Sequence, residues 1–156
     1  MPIIQYSIFS KFAEKHFANS NKHLSDGVVQ AIYSRFDGVT WYLQKVLNQL
    51  YAAYDDVTLS DVDDAIKQII FQNEEAYKDT LFQLTARQRD LLVAIGEDAK
   101  AEKITGTTFI KSHHLLSASS VQKACQQLLS KQLITHQQGI YEIYDKFFSE
   151  WLRNNN

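Results

Sequence analysis

The chain of 156 residues contains only 5 Gly and 1 Pro, whereas average usage of about 7% Gly and about 5% Pro would give roughly 19 of the two together. This deficit argues against a β-sandwich or barrel, which needs turn residues about every 8–12 positions, and it favours helices joined by short turns. With 22% charged residues and a net charge of −2, the chain is neither disordered in composition nor generally cationic.

Two further classes of protein are excluded by the residues that the chain lacks. No apolar run is long enough to span a bilayer, and the N-terminus has no signal-peptide pattern of a basic start and an apolar centre. A single cysteine can form neither an internal disulfide nor a zinc cluster. We therefore expect a cytoplasmic protein that has no membrane partner.

Charge is distributed unevenly along the chain. Residues 1–80 contain 7 Lys or Arg and 11 Asp or Glu, whereas residues 81–156 contain 9 and 7. This asymmetry indicates two modules, of which the second is mildly basic.

The first half has the apolar spacing of four helices, the last of which can continue through Tyr77 and Leu81 as a connector. The residues that recur at helical spacing are, helix by helix, Phe9, Phe12, Ala13, His16 and Phe17; Val28, Val29, Ile32, Tyr33 and Phe36; Leu43, Val46, Leu47, Leu50, Tyr51 and Tyr54; and Val62, Ala65, Ile66, Ile69 and Ile70. A small helical bundle is the structure that this pattern predicts.

The ends of these four helices are predicted from residues that can cap free backbone groups. The hydroxyls of Ser25 and Thr40 can each accept from a free N–H at a helix start. Ser60 and Asp63 form a weak variant of the capping box. Gly38 can adopt the left-handed conformation that ends a helix without a Cβ clash.

The second half has the element order of a winged helix-turn-helix domain. The first predicted helix begins at the Thr85–Gln88 capping box and has Leu91, Leu92 and Ile95 inward; a strand at residues 103–106 and a helix at residues 108–114, with Phe109 and Ile110 inward, follow. The third predicted helix has the apolar stripe Val121, Ala124, Cys125, Leu128 and Leu129. Two strands at residues 133–136 and 140–144 come next, and Asp145 then caps a last helix that carries Phe147, Phe148, Trp151 and Leu152. Gly139 marks a hairpin turn between the two strands.

Three helices followed by a β-hairpin form the winged variant of the helix-turn-helix. In its DNA-binding members the third helix lies in the major groove and the hairpin contacts the backbone. The predicted fold is therefore mainly α, with a four-helix bundle over residues 1–80 and a winged helix-turn-helix domain with a small β-hairpin over residues 81–156.

Several short segments also match, in order, the C-terminal region of a known family. Residues 36–43, FDGVTWYL, resemble the aromatic–Gly-x-Pro-x-Tyr-Leu segment in the helical lid of archaeal-type AAA ATPases, which are P-loop ATPases. The segments that resemble the winged helix after that lid are Leu84-Thr-x-x-Gln88, Phe109-Ile110, Leu116-Ser-x-Ser-Ser-Val-Gln122, Lys131-x-Leu-Ile134, Gly139-x-Tyr141 and Asp145-x-Phe-Phe-x-x-Trp-Leu152. The resemblance covers nearly the whole chain and rests on the series rather than on any one match.

The chain departs from that family in two places. Thr40 stands where the family has Pro, and the phosphate-binding motif G-x-x-x-x-G-K-[ST] does not occur. The resemblance therefore implies a non-catalytic, regulatory C-terminal fragment whose lid-like bundle partners an upstream P-loop ATPase domain. ATP and Mg²⁺ are expected only in that domain, and no cofactor or metal is expected here. The lid turn at residues 38–41 also lacks the arginine with which such lids sense the nucleotide.

The third helix and the hairpin of the second half carry the candidates for nucleic-acid binding. They are Ser119, Ser120, Gln122, Lys123, Gln126, Gln127, Lys131, His136 and Gln138. Glutamine can recognise adenine, and lysine can neutralise phosphates. The same residues also suit a solvated face on a winged helix that binds protein. The hairpin offers no Arg or Lys, so binding that depends on an oligomer is left open.

The other clusters of reactive residues have structural interpretations. His113 and His114 would point about 100° apart on a helix and so rarely chelate together. Cys125 shares the apolar face of its helix, which predicts a buried thiol. Asp residues 55–64 lie near a helix start, where the macrodipole favours acids. No catalytic constellation is found, so we expect no enzyme. The alternative functions are a free-standing, dimeric winged-helix transcription regulator and a structural protein-interaction module.

Overall fold

The computed structural model describes residues 1–155, which form nine α-helices and five short strands. Two compact units are present, Met1–Gln72 and a second that begins at Asn73. The mainly helical fold with a small antiparallel hairpin confirms the fold class that the scarcity of turn residues predicted. The domain boundary between residues 80 and 81 stays a prediction. No helix in residues 1–155 has both the length and the apolar character needed to cross a bilayer.

The first unit packs its helices around the apolar stripes that the sequence predicted. Its elements are α1 (Tyr6–Ala18), β1 (His23–Leu24), α2 (Val28–Arg35), α3 (Thr40–Ala53), β2 (Asp56–Val57) and α4 (Leu59–Gln72). All five residues of the α4 stripe are buried, as are Phe9, Ala13 and Phe17 of α1. Phe12 and His16, however, lie on the exposed side of α1, where their rings stack 5.8 Å apart.

The predicted caps of the second and third helices are wrong because long-range backbone pairing includes these residues. The backbone N–H of Ser25 donates to Val57 O at 2.9 Å, beside the parallel β1–β2 pair, and α2 begins after Gly27. The backbone N–H of Thr40 donates to Pro2 O at 3.0 Å, so Thr40 is the first residue of α3 rather than its cap. Neither pairing leaves a signal in the local sequence.

The start of α4 is displaced in the same way from the predicted Ser60–Asp63 pair. The carboxylate of Asp61 accepts from the backbone N–H of Thr58 at 2.8 Å and from the Thr58 hydroxyl at 3.0 Å. Asp63 instead forms an ion pair with Arg35, with Nη1 and Oδ1 2.8 Å apart. The capping pair therefore lies two residues before the predicted one.

The second unit contains a winged helix-turn-helix. Its elements are α5 (Glu74–Phe82), α6 (Ala86–Asp98), β3 (Ala101–Glu102), α7 (Thr107–Ser112), α8 (Ala118–Ser130), β4 (Ile134–Gln137), β5 (Ile140–Ile143) and α9 (Lys146–Asn154). The antiparallel sheet has the strand order β3-β5-β4. The apolar helix pattern that was predicted to continue past α4 is interrupted at Asn73, and in α5 the Tyr77 ring stacks on Phe148 at 4.8 Å.

Two strand predictions had different outcomes. The strand predicted at residues 103–106 is wrong, because Lys103 has a φ of 50° and turns the chain, so β3 lies two residues earlier. The hairpin at Gly139 is confirmed. Gln137 pairs with Ile140 across a two-residue turn in which Gln138 and Gly139 both have positive φ, as a tight hairpin requires.

The turn after α2 places Gly38 where a side chain would not fit. Gly38 has a φ of 72°, and a Cβ there would lie 2.8 Å from the ring and hydroxyl of Tyr33. Tyr33 is held in place because its hydroxyl donates to Ile4 O at 2.8 Å. The left-handed conformation predicted for Gly38 is thus confirmed, and it coincides with close packing.

We predict that Gly38→Ala lowers the free energy of unfolding by about 2–4 kcal/mol, from left-handed strain together with the Tyr33 clash. Gly27→Ala is the matched control, since Gly27 also has a positive φ but its Cβ would meet only Leu59 at 3.9 Å. Strain alone should cost this control about 1–2 kcal/mol. Urea unfolding measures both variants, and an equal loss for Gly27→Ala would contradict the packing argument.

The carboxylate of Asp145 caps α9 by accepting from the backbone N–H groups of Phe147 at 2.9 Å and Phe148 at 3.3 Å. Burial raises the pKa of this carboxyl, although the two hydrogen bonds oppose the rise. The folded chain therefore binds the proton more tightly than the unfolded chain does, and stability falls as pH rises through the raised pKa.

Relative to Asp145→Asn, which keeps the cap without the charge, the wild-type chain should lose stability between the ordinary aspartate pKa and the raised one. Urea unfolding across that pH range measures the difference. Asp145→Ala removes the cap and should cost about 1 kcal/mol at neutral pH. A wild-type chain that gains stability relative to Asp145→Asn over the same range would show that the pKa is lowered instead.

Candidate nucleic-acid interface

Helix α8 carries its polar residues on one exposed face because its opposite face is buried. Ser117 caps the helix by accepting from the backbone N–H of Ser120 at 3.2 Å. The buried face consists of Val121, Ala124, Cys125 and Leu128. The helical period then directs the intervening polar side chains to solvent.

The structure brings most of the predicted site residues together on α8. Ser119, Gln122, Lys123, Gln126 and Gln127 are exposed, and Ser120 is half-buried. Lys131 is exposed at the C-terminal cap of the helix.

The two remaining candidates lie on the β4–β5 hairpin, which is the wing. The His136 ring stacks on Tyr141 with the ring centroids 3.9 Å apart, and it stays exposed. Gln138 occupies the first position of the hairpin turn, where it is also exposed. The wing therefore presents polar groups without a fixed positive charge.

One side of the α8 face borders an open groove of about 530 Å³. Its lining residues are Thr85, Arg87, Leu116, Ser117, Ser119, Ser120, Lys123, Ala124 and Gln127. Arg87, from the first turn of α6, was absent from the sequence-based candidates, since no spacing rule relates it to Lys123. Its guanidinium Nη1 lies 3.5 Å from Oδ2 of Asp90, which is not among the lining residues. The groove is thus lined by two cations and by no carboxylate.

A longer charge pattern lies within the second half of the chain. Residues 103–141, which include α7, α8 and β4, contain no Asp or Glu and four lysines, Lys103, Lys111, Lys123 and Lys131. All four lysines are exposed, and none forms an ion pair within residues 1–155. The net charge of residues 81–156 does not reveal this segment, because acidic residues lie on both sides of it.

A buried glutamine connects α6 to the exposed face of α8. Gln88 completes the predicted capping box. Its side-chain Oε1 accepts from the backbone N–H of Thr85 at 3.1 Å, and its backbone N–H donates to the Thr85 hydroxyl. The Nε2 of Gln88 donates to Oε1 of Gln127 at 2.9 Å. Gln127 therefore combines a structural contact with a position on the candidate site.

The His and Cys residues of this region have structural surroundings. The ring nitrogens of His113 lie 3.1 Å from Glu97 Oε2 and 3.0 Å from Asp98 Oδ1, which connects the end of α7 to the end of α6. In the part of the chain that the structure describes, no group of three or more His, Cys, Asp or Glu is placed to hold a metal ion. Cys125 is buried as predicted, and burial raises the pKa of its thiol, which makes it a poor nucleophile.

Comparison with known proteins agrees with this geometry. A family model with the description "Probable winged helix domain" matches residues 75–154, which extend from α5 to α9. No curated protein matches the chain.

Proposed function

Since the chain belongs to the family described as "Probable winged helix domain", we propose that α8 and the wing bind double-stranded DNA. Winged helix domains commonly bind DNA or proteins. The observation that favours DNA is the segment of residues 103–141, which has four exposed lysines and no carboxylate. Affinity for DNA comes mainly from neutralised phosphates, so exposed lysines with no acid between them in the sequence favour such binding.

The number of cations sets the expected strength of this binding. If all four lysines contact phosphates, the logarithm of the binding constant should fall with the logarithm of salt concentration with a slope of about −3.6. That slope is shallow for a sequence-specific repressor. We therefore expect one winged helix to bind weakly, and tighter binding requires several copies on one DNA.

We further propose that the chain is the regulatory C-terminal part of a P-loop ATPase, with its first unit acting as a lid on a nucleotide-binding partner. The ordered series of matching segments supports this proposal; it begins with residues 36–43, which form the turn after α2 and the first turn of α3. ATP and Mg²⁺ would bind only in the partner domain, and the chain by itself would catalyse no reaction.

A protein-binding module is the second candidate function. Leu116 borders the groove and exposes 65% of its surface, which suits an apolar contact with another protein. In that case a change of charge on α8 would have little effect on DNA affinity.

The DNA proposal predicts that Lys123→Glu weakens binding to a random-sequence duplex at low salt by roughly tenfold, because one phosphate contact becomes a repulsion. The matched control is Lys67→Glu, the same charge change at an exposed position of α4. Fluorescence anisotropy over a salt series measures both. Equal losses in the two variants, or no binding by the wild-type chain at low salt, would refute the proposal.

The ATPase proposal predicts an in-frame G-x-x-x-x-G-K-[ST] motif in the genomic sequence that precedes the codon for Met1. Its physical reason is that a lid without its own phosphate loop needs a nucleotide domain to close on. Sequencing that region decides the question. A stop codon and a promoter directly upstream would contradict this proposal and favour a free-standing regulator.

A further inference from the structure

The orientation of the Gln88 amide is determined by chemistry. Gln88 is only 5% exposed, and of its two side-chain amide atoms only the oxygen can accept the hydrogen bond from the backbone N–H of Thr85. Its Nε2 must therefore point the other way, towards Gln127. A nitrogen donor requires an acceptor, so the atom of Gln127 that it meets at 2.9 Å must be Oε1.

This hydrogen bond limits what Gln127 can offer to a ligand. A bidentate contact with adenine needs both the acceptor and the donor of one amide on the same base edge. Turning Oε1 of Gln127 outward would leave the buried Nε2–H of Gln88 without an acceptor, at a cost comparable to the gain from the base contact. Gln88 therefore occupies one lone pair of the Gln127 oxygen, whereas no described residue accepts from the Nε2–H donors of Gln127.

The neighbours of Gln127 in the groove also donate. Lys123 lies one helical turn earlier on α8, and Arg87 of α6 lines the groove while it forms an ion pair with Asp90. Lys123 forms no hydrogen bond or ion pair with any residue from 1 to 155. The two cations and the Gln127 N–H groups favour a ligand that supplies acceptors, and the phosphate oxygens of nucleic acid are acceptors only.

We infer that the groove takes one phosphate of the DNA backbone, which Lys123 neutralises and to which Gln127 donates through Nε2–H. Base edges are then left to Gln122 and Gln126, which lie on the other side of the exposed face of α8 and form no hydrogen bond with the described residues. This inference rests on the proposed DNA binding and divides α8 into a positioning side and a base-contacting side.

Three variants of the full chain test the division. Gln127→Lys adds a charged donor but takes away the acceptor of the Gln88 amide, so this variant should unfold at a lower temperature. In the folded variant the salt slope should steepen by about 0.9 with an unchanged preference among base sequences. Gln127→Glu has the same shape and its carboxylate can still accept from Gln88, so the fold is kept. It should weaken binding to every duplex by roughly tenfold at low salt. Gln126→Met is the matched control and should change the preference at one base pair without changing the slope.

Anisotropy against a randomised duplex library over a salt series gives affinity, slope and base preference together, and thermal unfolding confirms that each variant is folded. The inference is overturned if Gln127→Lys leaves the slope unchanged, or if either Gln127 variant shifts the preferred base as Gln126→Met does. It is also overturned, together with the proposed function, if the wild-type chain binds no duplex at low salt. Wild-type binding with altered base preference in the Gln127 variants refutes the inference alone.

Discussion

The arrangement of α6 and α8 depends on one buried polar side chain, Gln88. An amide in this position costs roughly 1–3 kcal/mol for each unpaired group, so both of its hydrogen bonds must form in the folded chain. One bond closes the first turn of α6 at Thr85, and the other reaches Gln127 on α8. Apolar packing decides which faces of two helices meet. A hydrogen bond of defined length and direction also sets how far one helix is displaced along the other.

The same hydrogen bond affects the polar groups of the groove beside α8. It engages the oxygen of Gln127, and the groove is lined by the cations Arg87 and Lys123 and by no carboxylate. The acids that precede this region, Glu97 and Asp98, are engaged by His113 at the ends of α6 and α7. A chain with a net charge of −2 can therefore carry a groove lined by two cations and no carboxylate, since a local electrostatic field depends on where charges lie rather than on their sum.

Most of the helical core follows from the sequence, because burial on a helix repeats at a spacing that local residues reveal. The stripe of α4 and the buried face of α8 are examples. The helix starts near Ser25 and Thr40 were misplaced because their backbone groups pair with Val57 and Pro2, which are distant in the chain. The same limit applies to the site, where periodicity grouped the α8 candidates but gave no reason to add Arg87.

Contacts within about four residues produce the features that can be predicted from the sequence alone: the capping box at Thr85 and Gln88, the Asp145 cap, and the hairpin turn at Gly139. The segment of residues 103–141 without acids is also present in the sequence, although the charge counts of the two halves do not reveal it. The hydrogen bond from Gln88 to Gln127 and the position of Arg87 in the groove are visible only in the folded chain. The physical reason is that both properties depend on the packing of α8 against α6, which brings together side chains about 40 residues apart whose contact no local pattern encodes.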